Sequence, residues 1–205
     1  NQVNEIVVVD TGSTDNTMTV ARKLGAKVYS FPWQDDFSKA RNFALSKAKG
    51  DWLVLLDADE YFTANTAGNI RQIIHQAQQA DALLIQMVNY DADMAEIQDY
   101  FYQLRIVRNQ RGLHYEGKIH EELKLSEGKS MKFLRIPPEM LEIYHTGYAS
   151  SVSRQKLERN LKLLQQAVDN GQSEADLARY FCDCYLGLGD MEKCTYYGWL
   201  DVKKG

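Results

Sequence analysis

Two hydrophobic periods alternate along the first half of the chain. EIVVVD (residues 5–10) contains a continuous run of β-branched residues of strand length, and TDNTMTVARKLG (residues 14–25) supplies polar cap candidates, a helical stretch and a closing glycine. AKVYSF (residues 26–31) then predicts a second strand, and DDFSKARNFALSKAKG (residues 35–50) predicts a second helix. Strands and helices therefore follow each other in regular order.

The same order continues to about residue 88. DWLVLLD (residues 51–57) predicts a third strand that is apolar throughout, as expected when helices cover both faces of a parallel sheet. A helix with Ile70 and Ile73 on its apolar face follows, and ALLIQMV (residues 82–88) predicts the next strand. Alternating strands and helices indicate an α/β fold with a doubly wound, mostly parallel sheet.

The pattern changes between Tyr90 and about Tyr148. Short stretches rich in Tyr, Ile, Leu and Val, separated by glycines, predict short strands there. We interpret them as an antiparallel extension of the same domain.

The last quarter of the chain is predicted to be wholly helical. Its first helix, residues 153–171, carries an apolar stripe of Leu157, Leu161, Leu164 and Val168. Residues 174–190 and 191–205 have the small-and-aromatic pattern of a tetratricopeptide repeat. We therefore expect two domains, residues 1–149 and 150–205, and a short helical tail whose surface is a candidate contact for a protein partner.

Composition narrows the function classes. The 205 residues are 44% hydrophobic and 25% charged, which is ordinary for a globular protein. The net charge of -4, without a long basic run, disfavours nucleic acid as a partner. The longest apolar runs have the length of strands, so no transmembrane segment is predicted, and the N-terminus lacks the layout of a secretory signal. A cytoplasmic location is expected.

The three cysteines, Cys182, Cys184 and Cys194, are few and crowded. Their odd number argues against a disulfide framework, and no CxxC pair suggests a zinc site. We expect small buried thiols.

The first candidate site residue is Asp10, at the end of the first predicted strand. Asp-Thr-Gly after an apolar run is also how an aspartic protease presents its catalytic carboxylate, but that enzyme needs two such carboxylates, and the sequence has one. In an open α/β sheet, ligands bind at the carboxyl ends of the strands. The loop after Asp10 leads into a helix N-terminus, which favours an anion.

A second acidic group, Asp57, Asp59 and Glu60, follows the third predicted strand. Alternation along an extended chain places Asp57 and Asp59 on the same side, where both could reach one hard cation. An EF-hand is excluded, because position six of that frame is Phe62 rather than Gly and position twelve is Gly68 rather than Glu. Since three adjacent acids repel each other, we expect a divalent metal ion here.

Five segments together resemble a family-2 glycosyltransferase of the GT-A fold, in the subgroup that carries a C-terminal tetratricopeptide-repeat tail. They occur in the order of the family and span nearly the whole chain: VVVDTGSTDNT, FPWQDDFSKARNFALSKAKGDWLVLLDADE, GKIHEEL, IYHTGY and KLERNLKLL.

The resemblance implies a binding site for a nucleotide sugar. Asp10 would contact the nucleobase or ribose, Arg41 would lie near the base and diphosphate, and Asp57 would contact the ribose or the metal ion. The loop that follows Asp10 would be shaped by Thr11, Gly12, Ser13 and Asp15.

The resemblance also implies metal and catalytic residues. Asp57-Ala58-Asp59 matches the Asp-X-Asp motif, with Asp59 as a metal ligand and Asp57 as a possible second one, and His145 matches a late histidine that completes the metal and diphosphate site. The HEEL segment falls where the family keeps its catalytic carboxylate, so Glu121 is the first candidate base and Glu122 the second.

The expected activity is an inverting, metal-dependent transfer of a sugar from a nucleotide sugar, with a preference for UDP, to a hydroxyl or similar nucleophile of a glycan or peptide acceptor. A bound Mg²⁺ or Mn²⁺ and Arg41 would stabilise the charge of the leaving diphosphate. A carboxylate would take the proton of the attacking hydroxyl. Oxygen ligands suit Mg²⁺, and an imidazole from His145 favours Mn²⁺.

Two other functions remain as alternatives. The first is an inactive transferase fold that presents helical repeats to a protein partner. It is favoured by the start of the sequence: in the family another apolar strand and a helix precede the VVVD strand, whereas only a few residues precede it here. For that reason we expect the chain to be a fragment of a longer protein. A nucleotidyl transferase would need a glycine-rich phosphate loop near the N-terminus, which the sequence lacks.

Overall fold

The computed structural model describes residues 2–126, 129–147 and 153–204. They fall into two compact units, residues 1–147 and 148–205. The predicted boundary between residues 149 and 150 lies outside the described residues, so the two units are described separately.

The first unit is α/β, as predicted. Within the described residues it contains three α-helices and ten strands. In chain order they are β1 (Val7–Asp10), α1 (Thr17–Lys23), β2 (Lys27–Ser30), α2 (Phe37–Lys47), β3 (Trp52–Val54), β4 (Glu60–Phe62), α3 (Ile70–Gln76), β5 (Ala82–Asp91), β6 (Glu96–Arg108), β7 (Leu113–Glu116), β8 (Glu122–Leu125), β9 (Phe133–Arg135) and β10 (Glu142–His145).

The strands form three sheets among the described residues. β1 and β2 pair in parallel, and β7 and β8 pair antiparallel. The largest sheet has the order β3-β6-β5-β10-β4, with β9 beside β5. In that sheet β5 is parallel to β10 and to β9. The pairs β3–β6, β6–β5 and β10–β4 of the same sheet are antiparallel. The prediction of short strands after Tyr90 is wrong for β6, which has 13 residues.

Among the described residues, two apolar clusters hold the first unit together. The larger one packs α3 against the six-stranded sheet, with Ile73, Leu83 and Ile143 almost fully buried. The smaller one joins Leu53, Ala82 and Val107 of three neighbouring strands to the partly buried apolar face of α2. Burial of both faces explains why the sequences of β3 and β5 are apolar without alternation.

The second unit consists of three helices in its described part, α4 (Ser153–Asp169), α5 (Glu174–Leu188) and α6 (Met191–Lys204). The predicted stripe of α4 is only partly right: Leu164 is fully buried and Leu157, Leu161 and Val168 are half-buried, while Leu163 and Ala167 are buried as well. None of the described helices combines the length and the apolar character that crossing a membrane requires.

The cysteines all lie in this helical tail. Cys184 is buried, as expected, whereas Cys182 and Cys194 are partly exposed. Their two sulfur atoms lie 3.4 Å apart between α5 and α6. Burial and the neighbouring Cys194 thiol raise the pKa of Cys182 to about 11, so this thiol is neutral at physiological pH.

Aromatic stacking between α5 and α6 leads to a first prediction, on stability. The ring of Phe181 is buried and stacks on Tyr197 at a centroid distance of 4.6 Å. We expect Phe181→Ala to lower the free energy of unfolding of the helical tail by about 3–5 kcal/mol, because it leaves a cavity and removes a stacked pair. Urea denaturation followed by circular dichroism measures the change.

The matched control is Trp199→Ala on α6, since this side chain is 63% exposed. It should change the free energy of unfolding by no more than about 0.5 kcal/mol. Equal losses in the two variants would show that Phe181 is not part of the core of the tail.

Candidate active site

Asp10 organises the loop that follows β1. Its buried carboxylate accepts hydrogen bonds from the backbone N–H groups of Gly12 (3.1 Å) and Ser13 (3.0 Å). Hydrogen bonds from Ser13, the side chain first, lower the pKa of Asp10 despite its burial. Gly12 has a φ of +128°, which only glycine adopts without strain. The ionised Asp10 carboxylate therefore fixes the loop at the carboxyl end of β1.

The other two predicted residues of this loop are exposed. Ser13 is exposed on the loop surface, and Asp15 accepts a hydrogen bond from the backbone N–H of Thr17 (2.9 Å) at the start of α1. The N-cap residue of α1 is Asn16, whose side chain makes no capping hydrogen bond, so of the predicted polar candidates Asp15, one residue earlier, bonds the first turn. The loop presents its backbone and short polar side chains to solvent.

Asp57 and Asp59 do not lie on one extended strand, which corrects the basis of their predicted pairing. β3 ends at Val54, and residues 57–60 form a turn in which the Glu60 N–H donates to the Asp57 carbonyl oxygen (3.1 Å). In return, a carboxylate oxygen of Glu60 accepts from the Asp57 N–H (3.0 Å). The turn directs Asp57 and Asp59 to different partners.

Arg41 connects Asp57 to Glu121. Arg41 Nη2 lies 2.7 Å from Asp57 Oδ1, and Arg41 Nε donates to Glu121 Oε1. Burial tends to lower the pKa of Arg41, but the carboxylates of Asp57 and Glu121 outweigh it and raise the pKa. Three segments that are far apart in the sequence therefore meet at one guanidinium group.

The two candidate bases have different environments. The Glu121 side chain is 11% exposed and pairs with Arg41, whereas the Glu122 side chain is 72% exposed and lies 3.4 Å from Lys124 Nζ. β8 begins at Glu122, so Glu121 precedes the strand. Of the two candidates, Glu121 is therefore the one that lies inside the site.

Helix α2 holds the segment that carries Glu121. The amide of Asn42 donates to the Tyr115 carbonyl oxygen (2.9 Å) and accepts from the Tyr115 N–H (2.7 Å). The Ser38 hydroxyl donates to the Gly117 carbonyl oxygen. Arg41 lies over the ring of Tyr115, 5.4 Å from its centroid. The helix that carries Arg41 thus also fixes the backbone a few residues before Glu121.

Arg105, on β6, is a site residue that the sequence did not reveal. Arg105 Nη2 contacts Glu60 Oε1 and lies 3.4 Å from Asp57 Oδ2. The Arg105 and Glu60 side chains are 6% and 2% exposed. Burial raises the pKa of Glu60, and Arg105 opposes that rise. The one available signal was a charged residue inside the apolar stretch LRIV.

His145 faces Asp59. His145 Nε2 lies 3.6 Å from Asp59 Oδ2. His145 Nδ1 lies 2.9 Å from Oδ1 of Asn89, and the Asn89 amide N–H₂ donates to Asp99 Oδ1 (2.7 Å). A hydrogen on Nδ1 would donate to the Asn89 oxygen, and Nε2 is the ring nitrogen on the side of Asp59. The sequence had no signal for Asn89 as the partner that orients His145.

Asp59 and His145 fit a divalent cation as two ligands. Their facing atoms are 3.6 Å apart, short enough for one ion about 2.1 Å from each atom. In the part of the chain that the structure describes, no group of three or more His, Cys, Asp or Glu side chains is arranged to hold a metal ion. Asp57, the third expected ligand, pairs with Arg41 and Arg105 instead. A cation held by these two side chains would leave its other coordination positions to water and phosphate.

Comparison with known proteins identifies the family of the first unit. The family model described as glycosyl transferase family 2 matches residues 1–133. A TPR repeat-containing protein of Synechococcus elongatus is 36% identical over 120 residues, which are 58% of this chain and 29% of that protein. Glycosyltransferase SunS of Bacillus subtilis is 28% identical over 173 residues, which are 80% of this chain and 38% of that protein. The chain thus spans well under half the length of these two relatives.

The fold also has a counterpart among solved structures. The crystal structure of residues 1–349 of S. aureus TarS aligns with a TM-score of 0.51 and 18% identity, over 85% of this chain and 59% of that one. At this identity the likeness concerns the fold alone.

Proposed function

The chain belongs to glycosyl transferase family 2, and we propose that it transfers a sugar from a nucleotide-sugar donor to a hydroxyl or similar nucleophile of a glycan or peptide acceptor. One observation carries this proposal: Arg41 joins Asp57 to Glu121, so that a cationic group, an acidic turn and a buried carboxylate share one place. Transfer from a diphosphate needs these three elements together.

The donor is held by two loops in this proposal. The loop fixed by Asp10 lies at the carboxyl end of β1, where a nucleotide binds in an α/β sheet, and Asp57 supplies a carboxylate to the ribose. The guanidinium of Arg41 stabilises the negative charge of the diphosphate, because it is a fixed cation that loses no proton at neutral pH. Uridine diphosphate is the nucleotide to test first.

Asp59 and His145 hold the divalent cation that we propose as a cofactor. When bound, the cation adds positive charge next to the leaving diphosphate. The carboxylate of Asp59 suits Mg²⁺ or Mn²⁺, and the imidazole of His145 shifts the preference to Mn²⁺. Asn89 keeps that imidazole in one orientation through its hydrogen bond to Nδ1.

Glu121 is the proposed base. The acceptor hydroxyl gives its proton to the Glu121 carboxylate while its oxygen bonds to the anomeric carbon of the sugar. The bond from that carbon to the diphosphate oxygen breaks, and its electron pair leaves with the nucleoside diphosphate. Because this single displacement has no covalent enzyme intermediate, it inverts the anomeric configuration.

A thermal-shift panel tests the proposal. The protein is heated with each of several nucleotide sugars and nucleoside diphosphates, with and without Mn²⁺. We expect at least one ligand to raise the melting temperature only when the metal is present. At a ligand concentration 100 times the dissociation constant, the stabilisation should be about 2.7 kcal/mol.

Product release is the second readout of the same panel. The ligand that stabilises most is incubated with glycan and peptide acceptors, and the free nucleoside diphosphate is measured. If no nucleotide sugar or nucleoside diphosphate changes the melting temperature, and no nucleoside diphosphate is released, the proposal of a transferase is wrong. The alternative, an inactive module that presents helical repeats, then takes its place.

A further inference from the structure

We propose that Arg105 is a positioning residue for the nucleotide-sugar donor and acts by holding the Asp57 carboxylate in its binding orientation. This inference rests on the proposed function, because it assigns Asp57 to the donor. Arg105 belongs to none of the motifs that carry the resemblance to the family.

A break in the register of β6 with β5 lies at Arg105, beside the site. Leu83 of β5 pairs with Ile106, but the next residue, Leu84, pairs with Leu104. Arg105 is therefore the extra residue of a β-bulge. Bulges re-aim a side chain at the expense of a ladder hydrogen bond and are frequent beside active sites.

The strand stays attached at the bulge. The Leu55 N–H donates to the Arg105 carbonyl oxygen (2.8 Å), which connects β6 to the segment that leads into the acidic turn. Asp57 follows Leu55 by two residues. The hydrogen bond therefore holds the backbone just before the acidic turn next to the backbone of Arg105.

Stability alone does not account for an arginine here. Arg105 pairs with Glu60 in a nearly dry environment, and a buried ion pair is often no more stable than apolar residues of the same size. Arg105 Nε is also buried without a hydrogen-bond partner in the described structure, which is unfavourable. An apolar side chain between Leu104 and Ile106 would avoid both costs. The charge of Arg105 is explained if it acts on a neighbouring residue.

That neighbour is Asp57. Glu60 accepts from the Asp57 N–H and also holds the guanidinium of Arg105, which in turn lies 3.4 Å from Asp57 Oδ2. The backbone and the side chain of Asp57 are therefore restrained by one buried pair.

Arg41 is not able to replace this restraint. It is shared between Asp57 and Glu121, and it must also meet the diphosphate in the proposed function. Arg105 has no such second task, because the pair that it forms with Glu60 is closed to solvent. When Arg41 turns to the donor, Arg105 still orients Asp57.

The test separates positioning from folding with a double variant. Arg105→Met alone leaves Glu60 buried without its cation, so a lower melting temperature is expected. Glu60→Gln/Arg105→Met removes both charges, and the glutamine side-chain oxygen still accepts from the Asp57 N–H. The double variant should regain most of the melting temperature. The matched control is Arg108→Met, on the same strand, where the guanidinium lies over Trp52 at 4.5 Å.

Binding of the nucleoside diphosphate that wild type binds most tightly, starting with UDP and Mn²⁺, is measured by calorimetry. We expect the dissociation constant to rise about tenfold or more in both Arg105 variants, as for the loss of a hydrogen bond to a charged group, and to stay unchanged in Arg108→Met. In turnover, KM for the donor should rise by the same factor and KM for the acceptor should stay constant.

Two results overturn the inference in distinguishable ways. If the double variant binds the nucleotide as tightly as wild type, Arg105 only neutralises Glu60, and the proposed function is untouched. If wild type binds no nucleoside diphosphate with either metal ion, the proposed function fails and this inference fails with it.

Discussion

Replacing Glu121 with glutamine should lower kcat by about 10²–10⁴-fold, the usual contribution of a general base. Glutamine has nearly the same shape and its side-chain oxygen still accepts from Arg41 Nε, so the contact between α2 and the Glu121 segment is kept. What is lost is the ability to take a proton from the acceptor. The affinity for the nucleotide should therefore change little. The measurement is the release of nucleoside diphosphate from the donor and acceptor pair on which wild type is fastest.

Glu122→Gln is the matched control for this prediction. The two residues are adjacent and chemically identical, but the Glu122 side chain is 72% exposed and near Lys124. Its substitution should leave kcat within about twofold of wild type, as for a surface position. The opposite pattern, with activity lost in Glu122→Gln and kept in Glu121→Gln, would reverse the assignment of the base.

The elements that local sequence determines were predicted well. The helical period of residues 35–50 corresponds to α2, and the Asp36 side chain caps its first turn by accepting from the Lys39 N–H (3.1 Å). These features depend on contacts within three or four residues. The type and order of the elements in the first unit follow from such contacts.

The ends and partners of the strands were not predictable in the same way. The apolar run of residues 52–56 predicts a strand up to Asp57, yet β3 ends at Val54 because its partner β6 pairs with only three of these residues. Pairing between segments that are about fifty residues apart depends on the whole sheet and leaves no local pattern. The extended alternation argument for Asp57 and Asp59 was wrong for the same reason.

The residues of the candidate site also fall into a group that the sequence predicted and a group that it did not. Arg41, Asp57 and Glu121 were singled out by motifs, and the structure brings them together. Arg105 and Asn89 belong to no motif, and they reach the site through the register of β6 and β10 with β5. A bulge that shifts one residue, as at Arg105, has no signature in a single sequence. The residues that position the site are therefore harder to predict than those that belong to a motif.

Removal of the proposed metal ion should have the second large effect. Asp59→Asn keeps the size of the side chain but removes the anionic ligand that faces His145 Nε2. Without the cation, the charge of the leaving diphosphate is stabilised by Arg41 alone, so we expect kcat/KM to fall by about 10²–10³-fold. Chelation by EDTA should reduce wild-type activity to a similar level, and added Mn²⁺ should restore wild type but not the variant.

Variants of Asn89 and Asp51 test whether the effect of Asp59→Asn is due to the loss of the metal ion. Asn89→Leu removes the acceptor that orients the His145 ring, and loss of such a partner weakens metal affinity by about 10–100-fold, so a high Mn²⁺ concentration should rescue it. Asp51→Asn changes an exposed carboxylate just before β3 and should leave activity as in wild type. Asp59→Asn differs from Asn89→Leu because added metal cannot replace a missing ligand. If EDTA has no effect and Asp59→Asn stays active, the diphosphate departs without a cation, and Asp59 and His145 form an ordinary polar pair.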